Sequence, residues 1–210
     1  MTKGIDIYHG DGDIDFRKVK EDGMDFVIIK LGGSERQNGV CWTSPRFYEY
    51  VLKAKDAGLH VGAYFYAGHR SCEYAAGEKD AKYCLEVLDN IKLDFPVFYD
   101  FEEPSTMDPE GNTDACVAFC ETMEKAGWYV GIYASDISGF KERLQLDRLK
   151  PYDLWVARYG KNPQYVPEAR VCMWQYTSSG EIAGCQGHVD MDVCYIDYPE
   201  IIVPKHFNNY

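Results

Sequence analysis

A pattern of helix end, glycine and strand occurs twice at distant positions in this chain. Residues 57–64 and 126–133 share the pattern A-G-x-x-V-G-x-Y, and residues 22–27 carry a weaker version. A glycine after a helical stretch is typical of a helix C-terminus, and the apolar run that follows it is typical of a strand. Repeated units of this kind build parallel sheets and strongly restrict the possible folds.

Hydrophobic periodicity extends this pattern over the whole chain. It predicts eight strands, at residues 4–8, 26–31, 61–66, 96–101, 129–133, 154–157, 171–176 and 189–196. It predicts helices among the first six strands, at residues 15–21, 45–57, 73–88, 113–126 and 139–149. Five β/α units followed by three β-strands indicate an irregular, TIM-like α/β barrel, (β/α)5(β)3. An open doubly wound sheet is the alternative, but no glycine-rich phosphate loop follows any strand. We expect one catalytic domain over residues 1–210, with residues 203–210 as a short C-terminal tail.

Two acidic residues end the apolar, aromatic run at residues 95–101. Asp100 and Glu102 stand at positions i and i+2, so strand alternation places both on one face, with α-carbons about 6.5–7 Å apart. Pro104 is expected to end the strand and to leave both acids at its C-terminal end. Like charges that lose hydration repel each other, so at least one pKa should rise, as acid–base chemistry requires. An isolated Asp-x-Glu is more often a solvated strand end, so the pattern alone is ambiguous.

Carboxylates and aromatic rings recur near the ends of other predicted strands. Asp6 lies in the first strand, and Asp190 and Asp192 lie in the eighth, which is its neighbour in a closed barrel. Five aromatic residues lie at the ends of three further strands: Tyr64, Tyr66, Tyr133, Trp174 and Tyr176. Each ring could instead pack in the core, and Asp6 could pair with Lys30 or Arg158. As a set, however, clustered acids with an aromatic rim favour a sugar-binding site.

Composition excludes several classes of partner. The chain has 22 Lys and Arg against 34 Asp and Glu, a net charge of −12, which argues against nucleic acid or an anionic membrane. No apolar stretch is long enough to span a bilayer, and the start lacks a signal-peptide hydrophobic region. We therefore expect either synthesis in the cytoplasm or a leader already removed.

The eight cysteines form no CxxC pair, and Cys116 and Cys120 lack a nearby histidine, so we expect buried free thiols and no metal.

Several blocks together resemble the glycoside hydrolase family 25 lysozymes, also called Ch-type muramidases. The similarity runs in order through residues 4–6, 12–16, 57–64, 100–102, 133, 154–157, 174–180 and 187–190. It implies a barrel of the predicted kind and hydrolysis of the β-1,4 bond between N-acetylmuramic acid and N-acetylglucosamine in peptidoglycan. The expected partners are therefore glycan strands of the bacterial cell wall, met by a monomeric extracellular enzyme or released endolysin that needs no cofactor.

The resemblance also assigns residues. Glu102 matches the general acid of the family. The other active-site carboxylates match Asp6, Asp100 and Asp190. The resemblance places Tyr64 and Tyr133 at the sugar groove, and the strand-end pattern adds Tyr66, Trp174 and Asp192 as candidate substrate-binding residues. The chain departs from the family where Tyr64-Phe65-Tyr66 replaces a common Tyr-His-Phe and where Asp192 replaces a usual Asn. Tyr8, Gly10 and Asp11 also replace residues common after the first strand, so subsite preference is expected to differ more than the chemistry.

The residues suggest a retaining mechanism with two variants. Glu102, held protonated by repulsion from Asp100 and Asp6, would protonate the leaving oxygen. Either Asp100 or Asp6 then attacks directly, or the N-acetyl group of the substrate attacks while Asp100 steers it; we expect the second.

Three other functions are compatible with a barrel of this kind. A chitinase-type barrel needs a longer acid ladder, but Phe95 and Phe98 fill its first two positions. Metal-dependent barrel hydrolases need clustered histidines, and His9, His69 and His188 are scattered. A non-catalytic wall-binding module is the remaining alternative, and retention of both strand-four acids argues against it.

Overall fold

The apolar runs of the sequence pair side by side into a single sheet in the structure, a computed structural model that describes residues 1–103 and 107–210. The strands are β1 Thr2–Ile7, β2 Phe26–Ser34, β3 Cys41–Thr43, β4 His60–Tyr66, β5 Val97–Asp100, β6 Val130–Ser135, β7 Asp153–Ala157, β8 Val171–Gly180 and β9 Val189–Cys194. The strand order is β1-β9-β8-β7-β6-β5-β4-β2-β3, and β1 also pairs with β2. Eight strands therefore close into a barrel, as predicted, and β3 is an additional edge strand beside β2.

Helices connect the strands of the first half of the barrel. They are α1 Phe16–Glu21, α2 Phe47–Asp56, α3 Tyr74–Val87 and α4 Pro109–Lys125, and a short α5, Pro199–Ile202, follows the last strand. Asp15 caps α1 by accepting the backbone N–H of Lys18, and Asp108 caps α4 directly before a first-turn proline. Gly58 and Gly127 adopt positive φ after α2 and α4, which confirms the helix stops read from the repeated pattern.

The helix predicted at residues 139–149 is wrong. In its place, Asp136–Lys141 forms a π-helical turn and Leu146–Leu149 forms a 3-10 turn. Side chains of α4 form hydrogen bonds with backbone groups between these two turns. Asn112 donates to the carbonyl of Arg143, and the Thr113 hydroxyl accepts the N–H of Gln145. Because these groups are bonded to α4, they cannot continue a helix through this segment.

The last strand runs in the opposite direction from its neighbours. β9 is antiparallel to both β1 and β8, whereas β1, β2 and β4 to β8 are parallel to one another around the barrel. The N-terminal end of β9 therefore lies at the same end of the barrel as the C-terminal ends of the other strands. Asp190 lies near this end, and Asp192, two residues later, lies deeper inside.

Aromatic residues fill the barrel below this end. Phe98 contacts Trp155 inside the barrel, and Phe95 stacks on Phe26 near the opposite end. Asn208 is buried there: its side chain donates to the carbonyls of Leu93 and Phe95. The C-terminal tail is thus packed against this end of the barrel.

Two further features concern the whole chain. All eight cysteines are free and five of them are buried, which confirms the predicted free thiols. Within residues 1–103 and 107–210, no helix is both long enough and apolar enough to cross a bilayer.

Candidate active site

A small cavity of about 70 Å³ lies at the C-terminal end of the barrel. All four predicted carboxylates and two of the predicted tyrosines line it, together with Trp155 and Gln175. The full set is Asp6, Tyr64, Asp100, Glu102, Tyr133, Trp155, Gln175 and Asp190. Residues from seven strands or their ends therefore meet in one place, as expected for chemistry at this end of such a barrel.

Strand register explains how these distant residues meet. Asp6 of β1 lies directly opposite Asp190 of β9, so the neighbour relation predicted from barrel closure is confirmed. Asp100 lies between Tyr66 of β4 and Tyr133 of β6. Glu102 follows two residues after the end of β5, on the same side as Asp100. The predicted strand stop at Pro104 lies outside the described residues.

Asp100 is a buried acid with incomplete hydrogen bonding. It is 4% exposed, and its Oδ1 has no hydrogen-bond partner among the residues the structure describes. Burial and then the neighbouring charge of Glu102 raise its pKa well above the usual range, although the Lys30 ammonium opposes this shift. An acid in this setting is poised to hold a proton or to accept a strong hydrogen bond from a ligand.

Glu102 lies at the exposed rim of the same cavity. Loss of hydration raises its pKa, the charges of Glu103 and Asp190 raise it further, and Lys30 opposes them. The expected cause was repulsion from Asp100 and Asp6; desolvation is the largest cause, and the repulsion between Glu102 and Asp100 raises the pKa of Asp100. The backbone carbonyl of Glu102 accepts a hydrogen bond from Arg143, which fixes the chain at this point.

Gln175 is a site residue that the sequence analysis missed. Its side chain is 2% exposed and donates from Nε2 to Oδ2 of Asp6 at 2.7 Å. Its Oε1 accepts from the hydroxyls of Tyr133 and Tyr159 at 2.9 and 3.0 Å. Strand alternation could have found it. Side chains alternate along a strand, so Gln175 points to the opposite face from its neighbours Trp174 and Tyr176, and both of those had been expected at the sugar groove.

A further carboxylate, that of Asp11, lies close enough to the site to act on Asp190. Burial, followed by the charge of Asp11, raises the pKa of Asp190 to about 6. Asp11 itself accepts the backbone N–H of Tyr8 at 2.7 Å, which holds the turn after β1 against the site. Sequence reasoning noted Asp11 only as a departure from the family, because a lone acid after a strand carries no signal of its own.

Lys30 brings a positive charge among the acids. Its Nζ lies over the rings of Tyr66, Tyr64 and Trp42, at 4.2, 5.5 and 5.7 Å from their centroids. Burial lowers its pKa, while Asp100, Glu102 and Asp6 oppose this shift. In the described part of the chain, neither Lys30 nor Arg158 forms an ion pair with Asp6, so the structural partner considered for Asp6 is absent; Arg158 pairs with Asp136 instead.

Three of the predicted substrate-binding residues lie outside the lining of this cavity. Trp174 lies on the outer wall of the barrel, where its Nε1 donates to the carbonyl of Arg158 and its ring contacts Tyr176. Asp192 is 0% exposed and does not line the cavity, because antiparallel β9 carries it below Asp190. Tyr66 contacts Lys30 beside the cavity but is not part of its lining.

The donor set does not resemble a metal centre. Among the described residues, no group of three or more His, Cys, Asp or Glu side chains could hold a metal ion. The acids are instead interleaved with Gln175 and tyrosines, an arrangement that suits hydroxyl and amide groups of a ligand.

The comparison with known families agrees with the fold and the site. Residues 5–185 match the family described as Glycosyl hydrolases family 25. Because this match covers most of the chain, the chain belongs to that family, which is a family of lysozyme-type glycoside hydrolases.

Its relatives include named lysozymes. The chain is 28% identical over 190 residues to the autolytic lysozyme of Clostridium acetobutylicum, a match that covers 90% of this chain and 55% of that protein. It is 24% identical to lysozyme M1 of Streptomyces globisporus, covering 90% of this chain and 66% of that protein. The chain thus spans about half to two thirds of the length of these relatives.

Solved structures share the barrel. The autolysin LytC of Streptococcus pneumoniae, in complex with a synthetic peptidoglycan ligand, superposes with a TM-score of 0.79 at 27% identity, over 92% of this chain and 46% of that one. A family 25 glycosyl hydrolase from Bacillus anthracis gives a TM-score of 0.80 at 24% identity, over 99% of this chain and 94% of that one. The second similarity supports the fold alone.

Proposed function

We propose that this chain hydrolyses the β-1,4 bond between N-acetylmuramic acid and N-acetylglucosamine in peptidoglycan. The observation that carries the proposal is the meeting of Asp6, Asp100, Glu102 and Asp190 in one cavity at the C-terminal end of the barrel. Family membership and the ligand held by LytC support the same substrate class.

Glu102 acts as the general acid. It is exposed at the rim, where a glycosidic oxygen can reach it, and its raised pKa favours the protonated form that a general acid needs. Proton transfer to the leaving oxygen then breaks the bond through an oxocarbenium-like transition state. Asp6 and Asp190 lie across the cavity on neighbouring strands and hydrogen-bond the sugar or stabilise the developing positive charge.

Asp100 steers the substrate N-acetyl group, whose oxygen attacks the anomeric carbon, so that the reaction proceeds with retention. Oδ1 of Asp100 supports this role: it has no partner among the described residues, so it can accept the amide N–H of the sugar. Tyr64 and Tyr133 line the cavity beside it and contact the sugar ring. In the alternative route, Asp100 or Asp6 attacks the anomeric carbon directly.

The charge of the chain bears on where it acts. A net charge of −12 repels wall polymers that carry phosphate, more strongly at low salt. We propose that residues 1–210 form a single catalytic domain that meets the glycan strands of the bacterial cell wall where they are locally uncharged. Clearing of walls that carry phosphate should therefore improve as salt screens the repulsion.

A turbidity assay on purified peptidoglycan tests the activity. The parent should clear the suspension, and Glu102→Gln should lose about 10²–10⁴-fold in rate while still binding the glycan. Glu200→Gln, an exposed change on α5 far from the cavity, is the matched control. Full activity of Glu102→Gln would reject the general-acid role, and binding without clearing by the parent would favour a wall-binding module.

Product analysis then tests the bond and the route. Mass spectrometry of borohydride-reduced fragments should show reduced N-acetylmuramic acid at the new ends; reduced N-acetylglucosamine there would mean that the other bond is cut. Peptidoglycan with de-N-acetylated muramic acid separates the two routes. The substrate-assisted route fails on this substrate, whereas direct attack by Asp100 or Asp6 tolerates it.

A further inference from the structure

Asp192 is an acid next to the site with no access to it. It is 0% exposed and absent from the cavity lining, and it lies opposite Gly4 of β1 inside the barrel. Its Oδ1 accepts the indole N–H of Trp155 at 2.8 Å. Its Oδ2 is equally buried and accepts no hydrogen bond from the residues that the structure describes. Any role in catalysis must therefore act through a neighbouring residue.

That neighbour is Asp6. Asp192 and Asp6 lie on paired strands, and their buried carboxyl groups are close enough to share a hydrogen bond. Two carboxyl groups can form such a bond only if one of them carries a proton, because an ionised carboxylate is an acceptor only. The buried Oδ2 of Asp192, which accepts no bond, is the natural position for that proton. The pair then shares one proton and one negative charge.

Asp6 is the better place for the charge. It lines the cavity and receives the N–H of Gln175 at 2.7 Å in addition to the bond from Asp192. Asp192 is completely enclosed, and among the described residues Trp155 is its one N–H donor. A charge costs more free energy where fewer donors and no water compensate it. The proton therefore stays on Asp192.

The electrostatic surroundings of Asp192 agree. Burial, followed by the charge of Asp6, raises the pKa of Asp192 well above its usual range. The titratable groups that face it are Asp6 on β1, Asp190 and Cys194 on β9 and Tyr176 on β8. None of these four groups is a cation, so nothing in this set stabilises an ionised Asp192.

We propose that Asp192 is a positioning residue: a carboxylic acid that stays protonated through the working pH range and donates its proton to Asp6, which keeps Asp6 ionised and oriented toward the cavity. The proposal deepens the proposed function, on which it rests, because it explains how one of the active-site carboxylates keeps its charge among like charges. It also predicts that an amide can replace Asp192, since the Asn Nδ2–H donates to Asp6 and the Asn Oδ1 still accepts from Trp155.

The first test needs no activity. A group whose pKa is raised in the folded state stabilises the fold below its unfolded pKa, and this contribution is lost as pH rises through the folded pKa. Melting temperatures of the parent and of Asp192→Asn should therefore be similar near about pH 4, with Asp192→Asn the more stable by a widening margin toward about pH 9. A difference that stays constant with pH would overturn the proposal, whether or not the chain cleaves peptidoglycan.

The second test follows the pH dependence of cleavage. Asp192→Leu removes the donor to Asp6, so Asp6 should keep its proton to a higher pH, and the acidic limb of kcat/KM should move up by about one pH unit. Asp192→Asn keeps a donor, so its acidic limb should stay with that of the parent. Equal shifts in both variants would mean that Asp192 only fills space. If the parent cleaves nothing, the proposed function fails, and the melting series still decides the state of Asp192.

Discussion

Asp100 and Asp136 are equally hidden from solvent, at 4% and 1% exposure, yet their surroundings are opposite. Asp136 accepts the backbone N–H groups of residues 164–166 and the guanidinium of Arg158 at 2.6 Å. Although burial alone would raise its pKa, these donors lower it. Asp100 keeps an oxygen without a partner in the described residues, and burial and Glu102 raise its pKa.

The difference separates two uses of a buried acid. Asp136 is saturated with donors and holds the loop after β7 against the turn after β6, so its charge stabilises the fold. One oxygen of Asp100 has no donor among the described residues and the group faces like charges, so its ionised form destabilises the fold. This acceptor oxygen of Asp100 can bind a hydrogen-bond donor of the substrate, which suits a catalytic position. Three substitutions test this contrast, beginning with the largest effect.

Asp100→Asn should separate activity from stability most strongly. We expect the cleavage rate to fall by about 10²–10³-fold, because the group that orients the attacking amide or stabilises its charge is lost. Stability should change in the opposite direction. The folded pKa of Asp100 is raised, so its contribution to stability is present below the unfolded pKa and is lost as pH rises through the folded value.

Asp100→Asn cannot ionise and should therefore melt at a higher temperature than the parent at neutral pH, with the difference shrinking toward about pH 4. Thermal melts across this range, together with peptidoglycan clearing, measure both effects. A variant that is both inactive and less stable at every pH would show that Asp100 is a structural acid like Asp136.

Asp136→Asn should give the reverse result. The amide removes the charge that pairs with Arg158 and turns one N–H acceptor into a donor, so we expect a loss of about 3 kcal/mol in the free energy of unfolding at neutral pH. The folded pKa of Asp136 is lowered, so its stabilisation is present above the unfolded pKa and is lost as pH falls through the folded value.

The gap between the parent and Asp136→Asn should accordingly narrow at strongly acidic pH. Urea unfolding at several pH values measures it. Asp147→Asn, which removes an exposed acid paired with Lys150, is a matched control with little expected effect. A loss for Asp136→Asn no greater than that of the control would remove the contrast with Asp100.

The sequence could predict some of these acids and not others, depending on whether their neighbours follow from strand pattern. Strand alternation and barrel closure were enough to bring Asp6 and Asp190 together, because both depend on local periodicity and strand count. The sequence could not show that β9 runs antiparallel, and therefore it placed Asp192 at the groove. Asp136 gave no signal at all, since its donors are N–H groups nearly thirty residues later in the chain.

Tyr159→Phe should have the smallest effect, and it tests whether the loop anchored by Asp136 contributes to the site. Arg158 joins this loop to Asp136, and the next residue, Tyr159, donates its hydroxyl to Oε1 of Gln175, which in turn bonds Asp6. Tyr133 donates to the same oxygen, so one donor remains after the change. We expect kcat/KM to fall by about three- to tenfold, the value of one hydrogen bond, with little change in melting temperature because Tyr159 is half exposed.

Tyr165→Phe in the same loop is the control, since the structure bonds Tyr165 to Asp136 through its backbone. Equal rates for Tyr159→Phe and the parent would mean that Asp136 stabilises only the fold. The expected fall in kcat/KM would mean that the loop held by Asp136 also supports Asp6, through Tyr159 and Gln175.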